Sequence, residues 1–284
     1  MNLKKRCSCP LCNSEAISFL GDIAYVQPVL FSTSKVELNL TPQLWKCRSC
    51  LSWFTQNIFN QEDAEKLYSQ GAAGERWSRV PFNEQKHRSI LEVLKGISGD
   101  GVELLDVGCN TGELLDFVKE QGCETSGVEF SSSSRDVLRS KGHTAYASME
   151  ALTKLEKKFD VITAFDLIEH LYDVPKFITM CTDLLNDGGV LIIMTGDQSS
   201  LSARFCGEKW WYLKYPEHIV FPSRSYFESL SGLELINWLP TYASLSYDYP
   251  FLVRFRAIAA SILKKVYVGL PSIGSDHALI VLRK

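Results

Sequence analysis

The chain has 284 residues, 45% of them hydrophobic and 22% charged, an ordinary globular composition with apolar content enough for a sizeable core. A formal net charge of -3 lacks the broad positive field of a nonspecific nucleic-acid binder, so nucleic acid is not an expected partner. No apolar run approaches the ~18 residues that span a bilayer, and no apolar stretch follows the basic start MNLKKRCSCP as it would in a secretory signal.

Nine cysteines without such a signal point to reduced thiols, metal ligation and a cytoplasmic location. Cys9-Pro-Leu-Cys12 and Cys47-Arg-Ser-Cys50 form two C-x-x-C knuckles. Each knuckle can place two thiolates on one ion, and two complete a tetrahedral site. Residues 1–60 therefore read as a zinc-ribbon module, with structural Zn2+ on Cys9, Cys12, Cys47 and Cys50 contributing folding energy that a small core cannot supply. The 34 residues between the knuckles exceed the common spacing, and Val36 to Leu40 and Leu44 to Lys46 are expected as ribbon strands. A redox pair or unrelated buried thiols are the alternatives, with Cys7 as a spare thiol able to replace Cys9. Cys109, Cys123, Cys181 and Cys206 read as small core residues.

Residues 61–99 read as a helical connector and lid with a glycine-containing break at 71–74. From residue 100 to 284 the pattern alternates. Val102 to Val107 is a strand, Gly108 to Gly112 a turn, Glu113 to Gln121 a helix, Thr125 to Phe130 a strand and Ser132 to Lys141 a helix. Thr144 to Ala147 and Phe159 to Phe165 follow as strands, Val174 to Leu185 as a helix, Asp187 to Gly189 as a turn and Val190 to Thr195 as a strand. This alternation predicts a doubly wound α/β fold around a mostly parallel sheet. The runs VITAF and VLIIM suit central strands covered on both faces. Leu233 to Leu239 and His277 to Leu282 are later strands.

LLDVGCNTGELL, residues 104–115, carries the sharpest signal. Gly108 and Gly112 allow close backbone approach, and the turn aims main-chain N–H groups and a helix start at one point, suited to a carboxylate or phosphate. Asn110 stands where a dinucleotide fingerprint has its middle glycine. Glu129 ends the next strand, 17 residues beyond Gly112, where an acid can accept from both hydroxyls of a ribose.

With SGVEFS, FDVITAFDLIEHL and LLNDGGVLIIMTGD, this segment resembles the successive motifs of class I S-adenosylmethionine-dependent methyltransferases, over residues 102–195. The resemblance implies a seven-stranded Rossmann-like sheet closed by an antiparallel strand, here His277 to Leu282. It implies that Asp106, Gly108, Asn110 and Gly112 hold the methionine part of the cofactor and Glu129 its ribose. Phe130 would lie against the adenine, Ser148 and Met149 would flank the adenine edge, and Phe165 and Asp166 would stand beside the methyl group. The knuckles, with CRSCLSWF and EDAEKLYSQ after them, resemble bacterial methyltransferases of cell-surface glycan and nucleotide-sugar pathways. That likeness implies a zinc module covering the substrate site, a sugar-containing small-molecule acceptor, and Tyr68 reaching the cofactor carboxylate. The longer sugar C-methyltransferases of that group carry an additional C-terminal domain without counterpart here, and a hydroxyl is the expected acceptor.

A hydroxyl acceptor needs a base. His218, then Glu217, in the aromatic loop after the fifth strand, and His170 after the fourth, are the catalytic candidates at the carboxyl ends of the strands. Structural readings stand beside them: His170 as a helix cap or core histidine, His218 as a residue packed under Trp210 and Trp211. His87 reads as a surface residue, His143 and His277 as structural. Asp166, Glu169, His170 and His218 also resemble the ligand set of metal-dependent small-RNA 2′-O-methyltransferases, which keeps RNA methylation as an alternative, alongside a noncatalytic binding module. An insertion at about 249–276 contains the basic amphipathic stretch 251–268, able to lie on an anionic membrane surface, on its own domain or on a homodimer partner.

Overall fold

The computed structural model describes residues 3–23, 25, 28–31, 34–70, 84–95, 101–241 and 275–284, without the side chains of 68–70 and 84–89. The insertion stretch 251–268 and the break at 71–74 lie outside the described residues.

The chain opens with β1 (Leu3–Lys5), β2 (Ile17–Asp22), β3 (Val29–Phe31), β4 (Ser34–Val36), β5 (Gln43–Cys47), β6 (Trp53–Thr55) and β7 (Asn57–Phe59), followed by α1 (Gln61–Gln70) and α2 (Glu84–Lys95). β5 lies between β2 and β6, all antiparallel. The expected strand Val36 to Leu40 is corrected: β4 ends at Val36 and pairs with β3. Val36 and Leu38 are buried instead in a side cluster with Ile23, Val29 and Phe31, and Pro42, which has no N–H to give a ladder, separates that segment from β5. The Pro42 carbonyl accepts from Ile23 N at 2.8 Å.

The second part follows the expected alternation closely: β8 (Glu103–Val107), α3 (Glu113–Lys119), β9 (Glu124–Val128), α4 (Ser132–Ser140), β10 (Thr144–Tyr146), α5 (Met149–Thr153), β11 (Phe159–Phe165), a 3-10 turn at Ile168–His170, α6 (Val174–Leu184) and β12 (Leu185–Gly196). Then come α7 (Leu201–Cys206), β13 (Val220–Phe221), α8 (Arg224–Glu228), β14 (Glu234–Thr241) and β15 (His277–Arg283). Seven strands form one sheet in the order β10-β9-β8-β11-β12-β15-β14, with β15 antiparallel to both neighbours and the rest parallel. The turn expected at Asp187–Gly189 sits inside β12 as an irregularity: Leu185 pairs with Phe159 and Val190 with Val161, and Gly188 carries φ 78°.

Successive strand residues point to opposite faces. Leu105, Ile162, Leu191, Ile193 and Ile280 enter one core layer with α6. Leu104, Val161, Ile192, Met194 and Leu279 enter the other with Leu114, Leu115 and Val118 of α3. Both faces are thus dry, as the continuous apolar runs of β11 and β12 require.

The two parts are sewn together. β13 adds to β6, pairing Val220 with Phe54 and Phe221 with Trp53. Trp210, Tyr212, Leu213 and Tyr215 pack into the same cluster as Phe31, Trp53 and Phe59. The Trp53 and Trp210 rings meet edge-on at 6.4 Å, a contact of a kind that contributes ~0.5–1.5 kcal/mol beyond its area. The loop after β12 is therefore held by the N-terminal strands.

Candidate active site

The bend between β8 and α3 has three residues in the left-handed region: Gly108 at φ 78°, Asn110 at 49° and Gly112 at 85°. A side chain at Gly112 would collide with Leu138, and one at Gly127 with Cys109. Glu129 turns back onto this bend. Its Oε2 accepts from Asn110 N at 3.1 Å and its Oε1 from Ser131 N at 2.8 Å. A carboxylate has about four lone-pair positions, so acceptor capacity is left for a diol beside the bend. Asp106 is buried beneath it and accepts from Thr163 Oγ1 at 2.7 Å. Its placement braces the loop from below.

Phe130 is 66% exposed, an open ring at the tip of β9. The Ser148 hydroxyl accepts from Ala151 N at 3.3 Å and so caps α5, and Met149 points into the core. Phe165 packs partly buried on the core, and Asp166, at φ 49°, donates its N–H to Met194 O at 2.9 Å. Tyr68 lies on α1, and its side chain, like that of His87 on α2, is outside the described residues.

At the neighbouring tips of β11 and β12 a buried polar cluster surrounds Glu169, whose own exposure is 0%. Thr195 Oγ1 donates to its Oε2 at 2.9 Å, and the Tyr212 hydroxyl donates to its Oε1. His170 and His218 meet edge to face at 4.6 Å. His170 Nδ1 lies 3.1 Å from Glu217 O, and His218 Nδ1 lies 2.7 Å from Tyr212 O. A carbonyl only accepts, so both Nδ1 atoms carry the proton. Both Nε2 atoms then face Glu169 Oε1, at 3.8 and 4.0 Å. Burial, with His170 and Lys214 nearby, holds His218 well below the ordinary histidine range. It is a neutral imidazole, the form a base must have. Glu217 is brought to the cluster by its carbonyl, with a buried side chain. The three groups Glu169, His170 and His218 offer ligand atoms within 4.8 Å of one another, and Asp166 lies outside that group.

Several participants had no role assigned from sequence. Tyr212 and Thr195 fix Glu169, and Trp211 Nε1 donates to Asp276 Oδ2 at 2.6 Å while His277 Nδ1 contacts Asp276 Oδ1 at 2.8 Å. Tyr212 was visible only as part of an aromatic loop; Thr195 and Asp276 carry no local signal. His143 is structural, bridging Thr125 and Asp116 at 2.8 and 2.9 Å.

The four knuckle cysteines converge. Cys9 and Cys50 sulfurs lie 3.6 Å apart, as do those of Cys12 and Cys47. Tetrahedral ligands at ~2.3 Å from an ion stand ~3.8 Å apart, so the donor set and spacing fit one zinc. The hydrogen bond from Cys9 lowers the Cys50 thiol to about 5. Cys7 is exposed and outside the group.

Among the described residues no helix is long and apolar enough to cross a membrane. Residues 77–232 match the family described as "Methyltransferase domain". A ubiquinone biosynthesis O-methyltransferase of Coxiella burnetii (strain Dugway 5J108-111) is 33% identical over 102 residues, 34% of this chain and 44% of the relative, so the match spans less than half of that protein. Magnesium protoporphyrin IX methyltransferase from Synechocystis PCC 6803 shares the fold with TM-score 0.55 and 13% identity, over 79% of this chain and 100% of its own. The cyclase SpnF shares it with TM-score 0.50 and 18% identity, over 72% and 83%. With the family match spanning more than half of its length, and the bend and Glu129 in place, the chain belongs to the class I S-adenosylmethionine-dependent methyltransferase-domain family.

Proposed function

We propose that the protein transfers a methyl group from S-adenosylmethionine to a hydroxyl of a small, sugar-containing acceptor. The observation that carries this reading is Glu129 locked onto the Gly108–Gly112 bend, with neutral His218 beside Glu169, which follows β11, two strands from β9. Bound S-adenosylmethionine supplies an electrophilic methyl on a sulfonium. The bend's N–H groups and Glu129 would hold its two ends, and Phe130 would cover its base. His218 Nε2 accepts the acceptor's hydroxyl proton, and Tyr212 O holds the ring in the tautomer that keeps this nitrogen free of hydrogen. Glu169 faces the imidazolium that forms. Alignment and exclusion of water supply the rest. Zinc on Cys9, Cys12, Cys47 and Cys50 would have a structural role.

The sugar acceptor rests on the knuckle arrangement, and transfer to oxygen also on relatives named as O-methyltransferases. The test is calorimetric binding of S-adenosylhomocysteine, then label transfer from S-adenosylmethionine to panels of nucleotide sugars, phenols and RNA. Label on sugars alone supports the reading. Label on phenols or RNA replaces the acceptor class, and absent cofactor binding returns the chain to a noncatalytic module. One geometry favours a second reading. Two imidazoles with Nδ1–H tied to carbonyls and Nε2 aimed at one carboxylate are arranged as metal ligands are. That reading expects activity to rise with added divalent metal and to vanish in Glu169→Ala.

A further inference from the structure

His277 opens β15 with its buried ring placed between two carboxylates. Its Nδ1 lies 2.8 Å from Asp276 Oδ1, and the other oxygen of Asp276 accepts from Trp211 Nε1 at 2.6 Å. A carboxylate only accepts, so Nδ1 carries hydrogen. Nε2 faces Asp166 Oδ1 at 3.9 Å, an ion-pair distance. The side chains of Asp276 and His277 are buried, whereas that of Asp166 is 46% exposed. A row of four side chains thus leads from Trp211 outward to an accessible carboxylate.

The outer end of the row lies where the bend and the histidine cluster come together. Asp166 follows the last residue of β11, the strand beside β8 in the sheet. A Cβ added at Gly108 would stand 3.3 Å from the side chain of Leu167, the next residue, so the tip of β11 touches the bend after β8. The Tyr212 ring packs on both His277 and His218, at 4.6 and 4.4 Å. Asp166 itself sits at φ 49°. A residue other than glycine kept in the left-handed region is fixed by its surroundings, and such positions gather at functional sites. A brace for the start of β15 is complete with Trp211, Asp276 and His277 Nδ1. It does not need Nε2 aimed at a half-exposed carboxylate.

We propose that Asp166 binds the positive charge of the methyl donor, and that His277, backed by Asp276 and Trp211, is the positioning residue that aims its carboxylate. The ring acts as an imidazolium, so two negative charges against one positive leave the row one net negative charge. S-adenosylmethionine carries a positive charge on its sulfonium and S-adenosylhomocysteine lacks it, so the row favours donor over product. The inference rests on the methyl-transfer reading and deepens its donor half. Its test needs no acceptor. S-adenosylhomocysteine and sinefungin, which has an ammonium in place of the sulfonium, are titrated by calorimetry at neutral pH into the full-length protein. The proteins are wild type, Asp166→Asn, His277→Ala, His277→Gln and Asp276→Asn. The readout is the ratio of the two affinities, which a general weakening of the pocket does not move. Wild type is expected to favour sinefungin. Asp166→Asn should lower that preference about tenfold, and His277→Ala about threefold or more. His277→Gln, whose side-chain N–H can stand where Nε2 does, should keep most of it. A wild type without preference, or a preference unchanged or raised in Asp166→Asn, overturns the charge contact. A preference unchanged or raised in His277→Ala, or equally low in His277→Gln, overturns the positioning role. Should His277→Ala lose its fold, Asp276→Asn decides: a fall of about threefold supports that role and an unchanged ratio overturns it. If S-adenosylhomocysteine binds and the ratios do not move, only this inference falls. If neither ligand binds wild type, the methyl-transfer reading falls first and this inference with it.

Discussion

Glu129 and His218 show how single side chains decide this site. Glu129 has two main-chain donors fixing both oxygens, so the carboxylate is in place before any ligand arrives. Hydrogen bonds to a charged group contribute ~1.5–3 kcal/mol. Glu129→Ala is therefore expected to weaken S-adenosylhomocysteine binding about 10- to 100-fold by calorimetry, with an unchanged circular dichroism spectrum. A spectrum that also collapses would make Glu129 a structural residue of the bend. For His218 the sign follows from burial. Its folded-state pKa lies below the ordinary 6.5, so as pH falls below 6.5 the unfolded chain takes up a proton that the folded chain refuses. Stability is lost downward from that point, at up to ~1.4 kcal/mol per pH unit from this one group. Urea unfolding between pH 7.5 and 5.5 should show a shallower acid loss for His218→Asn than for wild type; equal slopes would place another group behind the loss.

At the scale of elements, the bend between β8 and α3 depends on glycine in two separable ways. Gly112 and Gly122 both have positive φ, 85° and 89°. An added Cβ at Gly112 runs into Leu138, whereas at Gly122 it meets nothing within 4 Å. Gly122→Ala should cost only the backbone penalty of ~1–2 kcal/mol, and Gly112→Ala a further ~1–3 kcal/mol for overpacking. Equal denaturant midpoints for the two variants would show that α4 yields freely at Leu138. The same locality explains what could be read in advance. The bend, Glu129 and strands β8 to β12 follow one another along the chain, and their apolar runs and glycines are local signals. β2 carries little local signal, because ISFLGD alternates weakly, is half-exposed, and slips register between Phe19 and Gly21. β13 has two residues, and only its partner Trp53–Phe54, far away in sequence, makes it a strand. His170 and His218 are legible as histidines after strands, but that their rings meet, and that Tyr212 and Thr195 hold Glu169 between them, depends on how the loop after β12 packs on the N-terminal strands.

Across the whole molecule, that packing ties the cysteine cluster to the catalytic candidates. Cys9, Cys47 and Cys50 belong to the same core layer as Val220, Tyr226 and Phe227. The Ser223 hydroxyl donates to the Cys50 carbonyl, and Ser223 N donates to Ser52 Oγ at 2.9 Å. The second knuckle therefore runs through β6 and β13 directly into Ile219 and His218. The bend and Glu129 stand on β8 and β9, in a different sheet from β5 and β6, which flank the second knuckle. Loss of the metal should thus act unequally on the two halves of the site. Cys47→Ser is expected to lower zinc content, measured by elemental mass spectrometry, from about one per chain toward zero. Methyl-transfer kcat/KM should fall about tenfold or more as His218 loses its support, while S-adenosylhomocysteine affinity changes by less than about threefold. Cys206→Ser, at a half-buried thiol outside the cluster, should leave zinc content unchanged. Full zinc retention in Cys47→Ser would remove the four-thiolate site. Equal losses of cofactor binding and turnover would mean instead that the knuckles support the sheet as a whole, and that the aromatic loop has no special dependence on them.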